Sequence, residues 1–183
     1  REEADEFFQW AEAGIFEAIS MQDSSAGDPA EQLIGYLREA LISGAGHFTT
    51  DLGTIPNAPD TKGWTNRSTS SEYDNWTPNG QRLGVIKAEA GEERLFLIPS
   101  IALGIAMCVA QQADETFAET AVSVSSAMAS HGWLKTDNSG KRGVGRRING
   151  QLMRVWDIPL TVLTGEDGGG DPEKPRDHST PPP

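Results

Sequence analysis

Apolar residues recur at three- and four-residue intervals in two stretches of the first 44 residues, which predicts two amphipathic helices. In the first stretch these residues are Phe7, Trp10, Ile15 and Ile19. In the second stretch they are Leu33, Ile34, Leu37, Leu41 and Ile42. Asp28 as a capping residue, with Pro29 at the first helical position, predicts where the second helix begins, and Gly44 predicts where it ends.

The pattern becomes strand-like at residues 47–52 and then gives way to a long loop rich in Pro, Asn, Ser, Thr and Gly. Trp64, Tyr73 and Trp76 lie in this loop, where spaced aromatic residues favour anchoring of the loop to the core. The alternative is a stacking platform for single-stranded bases. Two alternating stretches follow, RLGVIKA and ERLFLIP, and the turn-like EAGE between them predicts a β-hairpin.

Two more helices are predicted in the C-terminal half. Residues 99–112 are apolar nearly all round, which indicates a buried helix and a buried, inert thiol at Cys108. Residues 114–132 form the next helix, with an inward stripe at Phe117, Val124 and Met128. Residues 133–134 are expected to begin a strand, and the composition beyond residue 163 predicts a disordered tail.

The stretch GKRGVGRRINGQLMRVWDIP, residues 140–159, predicts a second hairpin, because Asn149 and Gly150 suit a two-residue type I′ turn. This turn pairs Ile148 with Gln151, Arg147 with Leu152, Arg146 with Met153 and Gly145 with Arg154. One face of the hairpin then packs, and its residues are Val144, Ile148, Met153 and Val155. The other face is expected to present Arg147, Arg154, Leu152 and Trp156.

The charge is unevenly distributed in this acidic chain of 183 residues and net charge −12. Residues 1–31 hold nine acidic residues and one basic residue, whereas residues 131–157 hold six basic and two acidic residues. The six basic residues are Lys135, Lys141, Arg142, Arg146, Arg147 and Arg154. A hairpin that projects from an acidic body is expected to reach phosphates, with Lys141, Arg146 and Arg147 foremost. The alternative is an edge protected by charge, or a contact with an acidic protein surface.

No motif indicates catalysis, a metal or a cofactor. The sequence has no P-loop, no dinucleotide fingerprint and no nucleophile elbow. A single cysteine and three scattered histidines predict neither a disulfide nor a zinc site. The longest apolar run spans about ten residues, short of the roughly twenty that cross a bilayer, and no signal-peptide pattern is present. These features predict a cytoplasmic protein that is not an enzyme on its own.

The order helix, helix, strand and basic hairpin is that of a winged helix. From about residue 36 to residue 158 the chain also resembles the C-terminal region of bacterial, chiefly actinobacterial, primase-helicase proteins of phages, plasmids and integrated mobile elements. The likeness is carried by YLREALISGAGHFTTD, the Gly63-Trp64 pair, NWTPNGQRLGVI, RLFLIPS, HGWL and RRINGQLMRVWDI. It implies a segment that follows a primase-polymerase or helicase-type ATPase core. The start at Arg1 and the ending STPPP also suggest a piece of a longer protein.

The predicted fold class is α+β, in four parts. These are a helical segment at residues 1–44, a strand and aromatic-anchored loop region at 45–98, a winged-helix-like domain at 99–163 and a disordered tail at 164–183. The resemblance implies a helix before HGWL that contacts DNA. Where family members carry basic or bulky polar residues, this chain offers Ser123 and Ser126, which bond phosphates without adding charge.

The expected function is that of a non-catalytic DNA-binding or docking module in mobile-element replication, whose hairpin contacts phosphates. Its expected partners are DNA, bound weakly and with strong salt dependence, and the upstream core or other replication proteins. No membrane partner is expected. The alternative is a protein-interaction or oligomer-organising module without nucleic-acid contact. Changing Arg146 and Arg147 together to Ala is expected to reduce the salt dependence with little loss of fold.

Overall fold

The computed structural model describes residues 27–68, 74–137, 140–148 and 150–165. The predicted helix at residues 7–19, Tyr73, Asn149 and the tail beyond residue 165 lie outside this part. The helices described are α1 (Pro29–Ile42), α2 (Pro99–Gln112), α3 (Ala121–Ser130), α4 (Leu160–Thr164) and a short 3₁₀ helix at Pro59–Lys62. The strands are β1 (Gly46–Thr50), β2 (Trp64–Asn66), β3 (Trp76–Pro78), β4 (Gln81–Glu89), β5 (Glu92–Leu97), β6 (Val144–Ile148) and β7 (Gln151–Pro159). The fold class is α+β, as predicted.

Five strands form one mixed sheet in the order β1-β4-β5-β7-β6. β1 runs parallel to β4, and the other neighbours are antiparallel. The hairpin predicted after the aromatic loop is confirmed as β4–β5, and Ala90 and Gly91 form its turn at φ 54° and 88°. β5 and β7 pair across the boundary predicted between residues 98 and 99. The segments on the two sides of that boundary therefore share one sheet.

The predicted start of α1 is confirmed. The Asp28 carboxylate accepts hydrogen bonds from the backbone N–H groups of Ala30 at 2.8 Å and Glu31 at 3.0 Å, which caps the helix. Its second oxygen lies 3.0 Å from Nε2 of His131, at the end of α3. Partial burial acts to raise the pKa of Asp28, but these hydrogen bonds outweigh it and hold the pKa below its ordinary value. Asp28 thus links the start of α1 to the end of α3.

The predicted span of α2 is confirmed, but its burial all round is not. One side packs into the core through Ala102, Ile105, Ala106, Val109 and Ala110. Gly104, Met107 and Cys108 are exposed, so the prediction of a buried thiol at Cys108 is wrong. The physical reason is that α1 and the sheet contact only one side of this helix. Apolar composition alone did not distinguish the two sides.

α3 is shorter than predicted. It begins at Ala121, where the Thr120 hydroxyl caps it by accepting the N–H of Ser123 at 3.1 Å. The residues before it are not helical, although Phe117 is buried and contacts the ring of Tyr36 edge-on at 5.4 Å. The inward stripe is confirmed by two further buried residues in the helix, Val124 and Met128.

The strand predicted at residues 133–134 is absent from the described ladders. That segment has only a backbone bond from Lys135 N–H to the carbonyl of Asp157 at 2.9 Å, and a bridge between Thr136 and Arg142. The strand of the second hairpin begins instead at Val144.

The aromatic loop is anchored at Trp64. Its indole Nε1 donates to the carbonyl of Phe48 at 2.7 Å, and its ring is buried edge-on against His47. Nδ1 of His47 lies 2.7 Å from the carbonyl oxygen of Asn79, so this histidine is a hydrogen-bonded structural residue. The anchoring interpretation is therefore confirmed for Trp64, while Trp76 is only half-buried in β3.

Candidate nucleic-acid interface

The basic hairpin pairs in the predicted register. β6 and β7 match Ile148 with Gln151, Arg147 with Leu152, Arg146 with Met153 and Gly145 with Arg154. We call residues 144–155 the wing. Because paired residues share a face, its inner face consists of Val144, Arg146, Ile148, Gln151, Met153 and Val155. Its outer face consists of Gly145, Arg147, Leu152 and Arg154.

The inner face of the wing packs on the side of the sheet that faces away from the helices. Ile148 is 2% exposed and Val155 is fully buried. Both form a hydrophobic cluster with three residues of the sheet and its margin, Val85, Phe96 and Ile98. The wing is therefore held to the body by a core of its own.

Arg146 belongs to this inner face. Its Nη2 lies 3.1 Å from Asp157 Oδ2 and 3.3 Å from Glu89 Oε2. The guanidinium carbon lies 4.9 Å from the centroid of the Phe96 ring, which adds a cation–π contact. Arg146 thus closes over the inner cluster and ties β6 to two other strands. The expectation that its loss has little effect on the fold does not agree with these contacts.

Asp157 is the centre of this ion-pair network. Its side chain is fully buried, and its Oδ1 accepts a hydrogen bond from Arg94 Nε at 2.8 Å. Arg94 Nη2 also donates to the backbone carbonyl of Asp157 at 3.1 Å. A buried carboxylate is costly unless it is paired, and here two guanidinium groups pair with it. Sequence analysis missed this residue, although a single acid inside the apolar stretch VWDIP was a signal for it.

The other five basic candidates are exposed. They are Lys135, Lys141, Arg142, Arg147 and Arg154. Within the described part of the chain, none of the five forms an ion pair with an acidic side chain. Leu152, which pairs with Arg147, is 75% exposed. The outer face therefore presents an apolar side chain between two arginines.

The prediction that Trp156 shares this exposed face is wrong. Trp156 is 3% exposed and belongs to the main core between the helices and the sheet. The reason is that β7 leaves the wing at this point and pairs with β5, where Trp156 lies opposite Leu97.

The described body that carries the wing has more acidic than basic side chains. The described residues hold 12 basic and 14 acidic side chains, and the ranges outside them hold 3 and 13. Elsewhere in the described body most cations are engaged. Arg38 and Lys62 bond backbone carbonyls, and Lys87 pairs with Asp51. Without the three arginines of the wing, the other described residues hold nine basic and 14 acidic side chains, so the expectation of a basic hairpin on an acidic body agrees with them.

α3 adds no positive charge to this surface. The hydroxyl of Ser123 donates to Glu119 Oε2 at 2.5 Å, so a carboxylate lies where a phosphate would approach. Ser126 is half-buried, and its carbonyl accepts the Ser130 hydroxyl at 3.1 Å. Helix α3 therefore leaves the exposed positive charge of this region to residues 135–154.

Comparisons with protein-family models, curated proteins and solved structures found no match to this chain. Within the described residues, no group of three or more His, Cys, Asp or Glu side chains is placed to hold a metal ion. The helices described there are all too short or too polar to cross a membrane.

Proposed function

We propose that this chain is a non-catalytic accessory module that binds DNA through the outer face of the wing. The observation that carries the proposal is the group of five exposed cations in residues 135–154, which lack ion-pair partners among the described residues. Exposed cations without ion-pair partners are available for phosphate contact, and each phosphate bound releases condensed counterions.

The arrangement of elements supports a winged helix. Strand β5, helices α2 and α3 and the β6–β7 hairpin follow one another, and β7 lies between β5 and β6 in the sheet. Helix α1 precedes them, separated from β5 by strands β1 to β4. In a winged helix such a hairpin lies beside the DNA. We further propose that the module belongs to a bacterial mobile-element or phage primase-helicase, acts in the cytoplasm, and docks on the upstream core or another replication protein.

Binding through the wing is weak and tolerant of sequence. Arg147 and Arg154 of the wing and the neighbouring Lys141 carry the charge, whereas α3 has no basic side chain to read base edges. About three phosphate contacts give a log–log salt slope near −3 on duplex DNA. The inner-face Arg146 is left out of this set because Asp157 and Glu89 already bind it.

A protein-docking function is the second candidate, and Leu152 favours it. Arginine is enriched at protein interfaces, and Leu152 offers an exposed apolar side chain between Arg147 and Arg154. The partner would carry an acidic surface with an apolar centre.

Titration of a labelled duplex and a labelled single strand at several salt concentrations separates the two functions. Arg147→Ala is expected to flatten the salt slope by about one unit, because one phosphate contact is lost. Arg67→Ala is the matched control, since Arg67 is also exposed and unpaired among the described residues but lies outside the wing. Absence of binding at low salt by the folded protein would contradict DNA binding and favour protein docking.

A further inference from the structure

A cleft of about 330 Å³ opens beside the outer face of the wing. Its lining consists of Asp137, Lys141, Gly143, Gly145, Leu152, Met153 and Arg154. Two cations, Lys141 and Arg154, and one carboxylate, Asp137, thus border the cleft. Its floor is backbone without side chains at Gly143 and Gly145.

The glycine floor is unusual because Gly145 lies inside a regularly paired strand. Its pairing with Arg154 contains no bulge, and its φ is not positive. Glycine weakens a strand interior, and it is typical of places where a ligand or another backbone approaches closely. A Cβ on Gly145 would meet only Leu152 Cδ1, at 3.6 Å, so no neighbour in the described fold excludes a side chain there. Local backbone geometry therefore gives no reason for glycine at this position.

The side chain of Arg154 passes close to the backbone of Gly143. Its φ of 109° requires glycine, and the point where a Cβ would lie is 3.4 Å from Arg154 Nε and 3.5 Å from Arg154 Cγ. The arginine side chain consequently lies across the bare backbone at the edge of the cleft. Lys141 lies on the loop side of the same cleft, where its backbone N–H donates to Asp137 Oδ1 at 2.8 Å.

We propose that this cleft binds a phosphate group of a nucleic-acid strand, between Lys141 Nζ and the guanidinium of Arg154 and above the bare backbone at Gly145. The inference rests on the proposed DNA-binding function and locates its principal phosphate subsite. Arg147 lies farther along the outer face, so cations recur along the wing as phosphates recur along a strand. This repetition favours a nucleic acid over an acidic peptide. Leu152 contacts the adjoining sugar or base.

The first test adds a side chain at Gly145, on the floor of the cleft, and removes no charge. Gly145→Val adds a β-branched side chain that strands accept, so the melting temperature is expected to stay level or rise. The affinity for a short oligothymidine strand and for a duplex is expected to fall about tenfold, as for the loss of one charge-assisted contact. Gly35→Ala is the control, because Gly35 is exposed in α1 and a Cβ there meets no atom within 4 Å.

Lys141→Met gives the second test, since it removes the charge and leaves the floor open. Lys141→Met is expected to lower the affinity for both nucleic acids. Asp137→Asn is expected to raise the affinity for both, because it removes the nearby negative charge. In a titration of the wild-type protein with either nucleic acid, the amide signals of Gly143 and Gly145 are expected to shift together.

The outcomes distinguish the subsite from the function. If Gly145→Val and Lys141→Met both leave the affinity unchanged while Arg147→Ala weakens binding, the proposed phosphate subsite is contradicted and the proposed DNA binding is not. Absence of binding to both nucleic acids at low salt overturns both proposals. Amide shifts with inorganic phosphate but with neither nucleic acid identify a free-anion site, and binding of an acidic peptide alone identifies a docking site. Either result overturns the proposed subsite.

Discussion

The two faces of the wing differ in what their charged side chains contact. Arg146 and Arg147 are adjacent in sequence, yet Arg146 binds Asp157 and Glu89 above a hydrophobic cluster, and Arg147 is exposed beside Leu152. The apolar residues differ in the same way, because Ile148 is buried in the inner cluster and Leu152 is exposed. One face holds the wing in place, and the other is available to a partner.

This difference shows why a count of basic residues does not identify a binding surface. The six cations of residues 131–157 look equivalent in sequence, but strand alternation places Arg146 toward the body, where a buried carboxylate binds it. We expect the inner face to contribute to the free energy of unfolding, and the outer face is the one that we propose for binding. The predictions below test that division.

Asp157→Ala is expected to have the largest effect. It leaves Arg94 and Arg146 without their buried partner, and breaking a buried pair costs about 3–5 kcal/mol of the free energy of unfolding. Asp51→Ala is the control, because the ion pair between Asp51 and Lys87 is exposed and contributes less than about 1 kcal/mol. Urea denaturation measures both. Equal losses in the two variants would show that the network under the wing contributes no more than a surface pair.

The two apolar residues of the wing provide the next test. Ile148→Ala is expected to lower the free energy of unfolding by about 3 kcal/mol, because it opens a cavity in the inner cluster. Leu152→Ala is expected to change it by no more than about 0.5 kcal/mol, because Leu152 is exposed. Thermal and urea denaturation of the two variants check the difference. Strong destabilisation by Leu152→Ala would mean that the outer face is covered within the protein.

The wing shows how far the sequence predicts the site. The register follows from the Asn-Gly pair, because a two-residue turn leaves a single pairing of the strands. That register already placed Arg146 beside Val144 and Ile148, so its inward position was available from strand alternation. Its partner network was not available from the sequence. Asp157 and Arg94 are 63 positions apart and meet only because β5 and β7 pair.

The helices show a similar limit. The start of α1 was predictable because a capping carboxylate and a proline act locally. The late start of α3 was not, because long-range contacts of Tyr36 with Phe117 and with Glu115 oppose local propensity in the segment before it. Likewise, hydrophobicity did not indicate which side of α2 is covered, and Cys108 lies on the exposed side.

Separate substitutions of Arg146 and Arg147 test whether the inner and outer faces of the wing have different roles. Arg146→Met is expected to lower the free energy of unfolding by about 1–2 kcal/mol, because the cation–π contact and two ion pairs are lost while Arg94 still neutralises Asp157. Arg147→Met is expected to leave stability unchanged within about 0.5 kcal/mol and to weaken DNA binding. Denaturation and the salt titration are measured on both variants. The reverse assignment of the two effects would contradict the proposed division of the faces.

The smallest effect is expected at Glu89, the exposed end of the network. Glu89 and Arg146 have side chains about a third exposed, 27% and 33%, so solvent screens their attraction across 3.3 Å. Glu89→Gln is expected to cost about 0.5 kcal/mol, because the amide oxygen still accepts a hydrogen bond from Arg146 and only the charge is lost. A double-mutant cycle that combines Glu89→Gln with Arg146→Met measures the coupling between the two side chains. A coupling well above about 1 kcal/mol would contradict the expectation that solvent screens this pair.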